Sequence, residues 1–421
     1  MTAASTTQTT PAAPSPRARI GDFAEHHRSS TIIVCMAIAT TLLAFLPQVA
    51  PLSFLQQPQP WYDSFANAGV FVLLAMGLNV VVGLAGLLDL GYAAFFAIGA
   101  YTYAYSNSPY SHMDLPFLPM LIVGAGVAAV FGIALGAPTL RLRGDYLAIM
   151  TLGFGEIVPI VFLNLENWTE GTNGIGGIFR PEPLPFLGTF SALTPFAYFI
   201  LMAFIITIAM ALLYRLQDSR VGRAWNAIRE DELAAAANGI NTVTTKLLAF
   251  ALGATTAGLA GVFNASKLTI VSPDQFYFTV SFTVLAMVIL GGMGHIWGVA
   301  AGAFIVYMIQ AVFLKQLNTV KEALHLPPFD IPLINLHIDL AKINFLDYQF
   351  LLYGVALVLM MLFRPEGLFP SQRRRRELHV ADEFAQDFGE DIESEPGIAG
   401  ALGETPGAEE LFGEDSGEGT R

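Results

Sequence analysis

The stretch Gln217–Lys246, QDSRVGRAWNAIREDELAAAANGINTVTTK, is charged and rich in helix formers. It separates the apolar run Leu193–Leu216 from another that starts at Leu247. Each flanking run is long enough to cross about 30 Å of hydrocarbon. A polar helical segment set between two such runs has no role inside a bilayer. It points to a partner that docks outside it.

The rest of the chain repeats this pattern. Of 421 residues, 54% are hydrophobic and 13% are charged, about half the charged share of a soluble domain. Ten apolar runs stand out, at 31–50, 62–82, 88–108, 117–139, 145–164, 193–215, 246–266, 278–291, 295–314 and 347–363. The expected fold is an all-α polytopic membrane protein with about ten transmembrane segments (8–10) and an internal repeat. The run 278–291 is short and reads as a half-helix or a re-entrant segment. The expected division is a cytoplasmic N-terminus over 1–30, a transmembrane domain over 31–365 and a tail over 366–421.

Charge orients the runs. Arg17, Arg19 and Arg28 precede the first; Arg141 and Arg143 follow the fourth. Arg215, Arg220, Arg223 and Arg229 follow the sixth, and Arg364 and Arg373 to Arg376 follow the tenth. With ten spans all four clusters fall on one side, which the positive-inside rule makes the cytoplasm. Both termini are then cytoplasmic. Lys315, Lys321 and Lys342, in the loop 315–346, depart from the rule. The tail Glu377–Arg421 holds 14 acidic residues against one basic, whereas residues 1–376 hold 20 of each. That composition, like the Thr/Ala/Pro-rich first 16 residues, reads as disordered. The polar N-terminus is too long for a cleaved signal peptide. The one cysteine, Cys35, excludes an intrachain disulfide.

Two glycine breaks resemble each other. Gly91 to Tyr101 follows Gly83 and Gly86; Gly294 to Phe304 follows Gly291 and Gly292. Both place glycines eight apart and end Gly-Ala-aromatic. One reading is ordinary small-residue helix packing. The other is a duplicated transporter fold whose broken helices mark the pathway, with the copies parallel if 278–291 crosses and inverted if it does not.

Candidate pathway or hinge residues are Asn79, Asp89, Tyr92, Glu156, Gly291, Gly292 and Gly294. Glu156 sits in the middle of the fifth run, where a carboxylate is costly: it either faces a cavity or a partner in a pathway or hinge role, or is a structural pair or a protonated acid packed near the kink at Pro159. Asp89 reads first as the N-cap of the next helix. Asn79 and Asn264 either bridge helices or bind substrate, bridging being the commoner use. The segment 169–177 is either a backbone anion-binding turn or a flexible loop. His295 reads as structural. No metal-ligand cluster, nucleophile motif or GxxxxGK[ST] is present, so no ATP is expected to bind this chain.

In the opening stretch, Asp218 or Ser219 suits an N-cap and Asn238-Gly239 a stop, which predicts one helix between them. Four consecutive alanines, 234–237, give it a small-residue face that another surface can approach closely. The candidate coupling residues are Gly222, Arg223, Arg229, Glu230, Glu232, Ala235, Ala236 and Gly239.

The ordered motifs Gly83–Tyr92, Arg141–Ile149 running on to Gly153–Glu156, Asn173–Gly176, Gly222–Gly239 and Leu290–Gly294 resemble the branched-chain amino-acid permeases of ABC transporters, LivM-type subunit. The resemblance covers about residues 62–365. It implies a non-enzymatic inner-membrane importer subunit that passes leucine, isoleucine or valine. The implied partners are a second homologous permease, two cytoplasmic ATPases that use ATP and Mg, and an extracytoplasmic binding protein, within membrane lipid and without nucleic acid. Urea, short amides or other amino acids are alternative substrates of related permeases. Glu232–Gly239 is similar to the family's coupling loop, with the glycine seven residues after Glu232 rather than six and Leu233 in place of an alanine. A different class of reading is a proton-coupled secondary transporter that uses Glu156.

Overall fold

Long apolar runs without internal charge fold into helices because every backbone group must find its partner within the segment once water is excluded. The computed structural model describes residues 28–48, 58–111, 113–139, 142, 144–183, 188–191, 193–315, 329–331, 336–338, 348–364 and 367–368. Both terminal segments, Arg17, Arg19, Arg141, Arg143, Lys321, Lys342 and Arg373 to Arg376 lie outside the described residues.

The helices are α1 Arg28–Phe45, α2 Pro58–Leu78, α3 Ala93–Ser106, α4 Phe117–Thr139, α5 Asp145–Asn164, α6 Pro195–Gln217, α7 Arg220–Glu230, α8 Glu232–Ala237, α9 Thr242–Leu268, α10 Phe278–Gly291, α11 Ile296–Met308 and α12 Gln349–Phe363. Two π-helical turns extend α2 over Asn79–Leu84 and α11 over Ile309–Leu314. Among the described residues, strands form two short antiparallel pairs, β1 Ile175–Gly176 with β2 Ile270–Val271, and β3 Phe329–Ile331 with β4 Leu336–Ile338.

Among the described residues, seven helical stretches are long and apolar enough to cross a membrane: Gln59–Leu84, Phe117–Thr139, Asp145–Asn164, Pro195–Gln217, Thr242–Leu268, Pro273–Gly291 and Ile296–Leu314. Two shorter apolar helices, Ile33–Phe45 within α1 and Gln349–Phe363 of α12, and the buried helix α3 occupy the other expected runs. The run at 278–291 is longer than its apolar core suggests. A 3-10 turn at Pro273–Phe276 leads into α10, so the stretch spans 19 residues, about 28 Å of rise at helical pitch.

Helix α9 is the axis of the bundle and packs chiefly on α4 and α3. Glycine makes these crossings close. A Cβ on Gly99 would stand 2.4 Å from the Gly258 carbonyl oxygen, and one on Gly261 would stand 2.3 Å from that of Phe96. Small residues at such crossings let helix backbones touch where lipid gives no hydrophobic drive to associate.

Contacts define two ends. At one, Lys267 in the last turn of α9 pairs with Asp63 (2.8 Å) and Asn67 (2.5 Å) near the start of α2. At the other, Arg229 of α7 meets Gly83 where α2 finishes. Both glycine breaks lie at this second end, because the Gly294 N–H donates to Asn79 Oδ1 at 2.8 Å. Helix α3 leads away to Asn107, which bonds Phe179 beside the β1–β2 pair. Helix α11 leads away to Phe304 and Tyr307, which pack on Phe65 and Phe71 of α2. The two breaks thus open helices in the same direction.

Candidate functional site

The polar stretch folds as two helices, which corrects the expected single one. Ser219 Oγ accepts from the N–H groups of Val221 (3.2 Å) and Gly222 (3.4 Å) and starts α7. Asp231 then leaves the helical region, at φ −153° and ψ 113°. Its Oδ1 accepts from Leu233 (2.8 Å) and Ala234 (3.0 Å) and caps α8. Aspartate's short carboxylate competes for local N–H groups, so it starts a new helix where the first would have continued. Gly239, at φ +83°, ends α8: its N–H reaches Ala236 O while Ile240 N–H reaches Ala235 O, a left-handed stop that suits glycine.

One face of this pair holds to the bundle. Gly222 packs on the Gln217 carbonyl so tightly that a Cβ would approach it to 2.2 Å. Trp225 is wholly buried and donates from Nε1 to Thr245 O at 2.7 Å. Ile228 and Ala235 are buried as well. Glu232 accepts from Lys246 Nζ at 2.6 Å, tying α8 to the first turns of α9. Arg229 donates from Nη1 to the Gly83 carbonyl oxygen at 2.5 Å. The other face is open: Arg223, Glu230, Leu233, Ala234, Ala236, Ala237, Asn238 and Gly239 are exposed. Of the eight candidate coupling residues, Gly222, Arg229, Glu232 and Ala235 therefore turn inward, and Arg223, Glu230, Ala236 and Gly239 turn outward.

Above Arg229 lies a junction of three elements. Asn79, fully buried in the π turn, accepts from Gly294, and Gln217 Nε2 donates to Gly294 O at 3.5 Å. Gly294 has φ +84° and Gly292 φ +107°, conformations that suit glycine. A Cβ on Gly83 would stand 2.0 Å from Asn79 Oδ1 and 2.6 Å from Gly294 N. Gly291 lies against the Gly298–Val299 backbone and against Gly302. His295 Nδ1 accepts from Gly298 N–H at 3.0 Å and caps α11, the structural role its position suggested. Leu368 N–H bonds Leu290 O at 2.9 Å and lays the segment after α12 on the same junction.

Asp89 does not cap α3. Tyr92 holds the N-cap position without a side-chain bond, and Ser281 Oγ of α10 takes the Ala93 N–H at 2.8 Å. Asp89, three residues before Tyr92, accepts from Gly91 N–H at 2.9 Å and closes a local turn. Leu90 N–H bonds Thr151 Oγ1 of α5 at 3.0 Å. The Tyr92 hydroxyl donates to Gly253 O at 2.8 Å and lies 3.1 Å from Thr256 Oγ1, so the tyrosine fastens α3 to α9. A polar cavity of about 230 Å³ separates this turn from α7 and α8, lined by Gly86, Asp145, Arg229, Glu232 and Lys246 among others.

Glu156 lies apart from that junction. It is half-buried on α5, and its Oε1 accepts from Phe278 N–H at 3.3 Å, the first residue of α10. The partly positive N-terminus of a helix is a favourable neighbour for a carboxylate. Asp274 accepts from the Tyr277 hydroxyl at 3.0 Å close by. Otherwise this side of α5 is apolar and open, with Ile149, Ile157 and Ile160 exposed. The glycine segment 169–177 is folded: Thr169 Oγ1 bonds the Phe162 and Leu165 carbonyls, and Gly174 packs on the Val271 carbonyl beside β2.

The sequence reading missed the Lys267–Asp63–Asn67 cluster. The side chain of Lys267 is only 7% exposed. Its signal was a charged residue at the end of one apolar run and another at the start of a run 204 positions earlier.

A family described as "Branched-chain amino acid transport system / permease component" matches residues 62–361. The high-affinity branched-chain amino acid transport system permease protein LivM of Escherichia coli K12 is 38% identical over 73% of this chain and 70% of its own length. The probable LivM of Methanocaldococcus jannaschii is 25% identical over 72% of this chain and 91% of its own. The permease protein LivH of E. coli K12 is 26% identical over 64% and 88%. No solved structure matches.

Proposed function

This chain belongs to the family of permease components of branched-chain amino acid transport systems, and on that footing we propose that it is the permease subunit of an ATP-driven importer that passes leucine, isoleucine and valine across the bacterial inner membrane. A second, homologous permease completes the membrane unit, as the existence of LivH-named relatives suggests. Two ATPases that use ATP and Mg dock on the exposed face of α7 and α8, and a binding protein delivers substrate at the opposite end. The basic clusters support a cytoplasmic α7–α8 end. The proposed topology has ten crossings: the seven long helical stretches and α1, α3 and α12.

The observation that carries the mechanism is the bond from Arg229 to the Gly83 carbonyl. It joins a helix with an exposed docking face to the point where α2 breaks. Through Asn79 and Gly294 the same point touches the second break. Movement of α7 therefore bears on both breaks at once. An ATPase dimer that binds α7–α8 differently in its open and closed forms shifts the permease between inward- and outward-open states by that difference in affinity. The chain itself makes and breaks no covalent bond.

The proposed pathway runs along the open side of α5, between this chain and the second permease. Glu156 supports this: a carboxylate on an apolar intramembrane surface faces a partner or water rather than acyl chains. Its bond to α10 also weighs against a proton-carrier role, since the carboxylate already serves as acceptor for a helix N-terminus. Co-purification from native membranes followed by mass spectrometry tests the assembly. Two ATPases and a second permease in stoichiometric amounts support it; this chain eluting alone, or with unrelated proteins, contradicts it.

A further inference from the structure

The 3-10 turn Pro273–Phe276 and the start of α10 gather acceptors without gathering cations. Asp274 is exposed and accepts from the Tyr277 hydroxyl at 3.0 Å. Glu156 reaches the same turn through Phe278 N–H, and both carboxylates act electrostatically on the Tyr277 hydroxyl. Gln275 Oε1 is buried and accepts no hydrogen bond. Among the described residues, no ion pair includes Asp274 or Glu156. Beside them the hydroxyl of Tyr101, on α3, is buried without a partner. Its ring packs on Phe162 of α5 (centroids 4.2 Å apart) and Phe276 of the 3-10 turn (6.0 Å), and the charged residue that acts on it is Asp274. A buried hydroxyl left unbonded is destabilising and calls for a ligand, an ion or water.

This inventory selects the occupant. Carboxylates and an amide oxygen only accept, and a hydroxyl accepts as well as donates. What they lack is a cation with several N–H donors, which a primary ammonium supplies. The aromatic faces of Tyr101, Phe162 and Phe276 also attract cations. A metal ion fits less well, since no group of three or more His, Cys, Asp or Glu side chains is assembled among the described residues. Next to the acceptors the wall turns aliphatic, with Ile157 and Ile160 of α5 exposed. An ammonium pocket beside an aliphatic wall matches the amino and side-chain ends of a branched-chain amino acid.

We propose that Asp274 and the Tyr101 hydroxyl receive the ammonium group of the transported amino acid, whose aliphatic side chain lies over Ile160. The proposal rests on the importer reading above and adds a source of specificity to it. Tyr101 accepts from the ammonium and donates to Asp274. Glu156, already the acceptor for α10, makes no direct contact. Urea and short amides carry no ammonium and are rejected here.

The test uses the full complex in proteoliposomes, with a reporter thiol at Ile157→Cys in a Cys35→Ser chain. Labelling by a membrane-permeant maleimide is measured against rising leucine, isoamylamine, which lacks the carboxylate, and isocaproate, which lacks the amino group. Leucine and isoamylamine are expected to protect the thiol, and isocaproate is not. Asp274→Asn is expected to raise the half-protecting leucine concentration about tenfold, the weight of a hydrogen bond to a charged group, and Asp274→Glu to restore most of it. Tyr101→Phe is expected to raise it too, with no fall in melting temperature, because the hydroxyl it removes has no partner in the free protein. Equal protection by isocaproate overturns the proposal, as does leucine protection that Asp274→Asn leaves unchanged. A thiol that never labels overturns it as well, since lipid or the second permease then covers this side of α5. Should Ile157→Cys fail to fold, Thr279→Cys, exposed on the first turn of α10, takes its place. ATP-driven leucine uptake, measured on the same proteoliposomes with binding protein, keeps the two readings apart: uptake without protection sinks the ammonium site alone, and no uptake by the unmodified complex sinks the importer.

Discussion

Arg229 and Gly83 are 146 positions apart in the chain and are joined by a bond from guanidinium to carbonyl at the break of α2. Arg229 is half-buried and also lines the cavity that holds Asp145 and Glu232. The geometry makes α7 a lever on α2. Replacing Arg229 with alanine removes a hydrogen bond to a charged group, worth about 1.5–3 kcal/mol. Arg229→Ala is expected to leave the complex assembled and hydrolysing ATP while leucine uptake falls at least about tenfold, the effect of about 1.4 kcal/mol on a rate. ATPase activity and uptake measured on the same proteoliposomes separate the two. A proportional loss of both would mean that Arg229 serves docking and not transmission.

The two faces of α8 predict opposite outcomes for adjacent alanines. Ala236 is exposed, and Ala236→Arg is expected to change the melting temperature little, since surface substitutions stay within about 0.5 kcal/mol. It should nonetheless abolish recovery of the ATPases in a pull-down. Ala235 is buried, and Ala235→Arg forces a charge against the bundle and should lower the melting temperature by several degrees. Identical behaviour of the two variants would remove the case for a docking face.

Glu156 separates the importer from a proton-coupled carrier. Its role here is to accept from Phe278 N–H at the start of α10. Glu156→Gln keeps an acceptor oxygen, and most of the uptake is expected to survive. Glu156→Ala leaves the helix end unserved and should lower uptake more than it lowers the amount of chain in the membrane. A carrier that protonates this residue would lose transport as fully with glutamine as with alanine.

The crossing of α3 over α9 depends on the absence of a side chain at Gly99. A Cβ there stands 2.4 Å from Gly258 O, and the obstacle is backbone, which cannot rotate away. Gly99→Val is expected to destabilise the bundle by about 1–3 kcal/mol or more, as overpacking does. Thermal unfolding in detergent measures it. Gly126, which meets nothing within 4 Å, is the control, and Gly126→Ala should be silent.

Helix positions were legible from hydrophobic runs because the bilayer leaves the backbone no other choice. All ten expected runs hold a helix, and Ser219, one of the two expected N-caps, starts α7 through a short side chain with local reach. The break at Asp231 was missed. The same residue type that starts a helix also interrupts one, and the alanines on its far side masked the interruption. Asp89 misled for a related reason: the helix starts four residues later, at Ala93, so its carboxylate closes a local turn on Gly91 and Ser281, nearly 190 positions away, serves the first N–H of the helix. Of the candidate sites, the sequence pointed to Asn79, Arg229 and Gly294 separately. That Asn79 bonds Gly294 and Arg229 bonds Gly83 is tertiary information with no local trace. The inward turn of Gly222 and Ala235 was equally invisible, because a small-residue face suits a partner and a bundle alike.

The most direct measurement is leucine accumulation by proteoliposomes that contain this chain, the second permease and the two ATPases, with binding protein and leucine on the outside and ATP on the side of α7 and α8. The account predicts accumulation that requires ATP hydrolysis, survives a proton ionophore and is lost in Arg229→Ala while ATP turnover continues. Accumulation by this chain without the ATPases, collapsed by the ionophore, would contradict it.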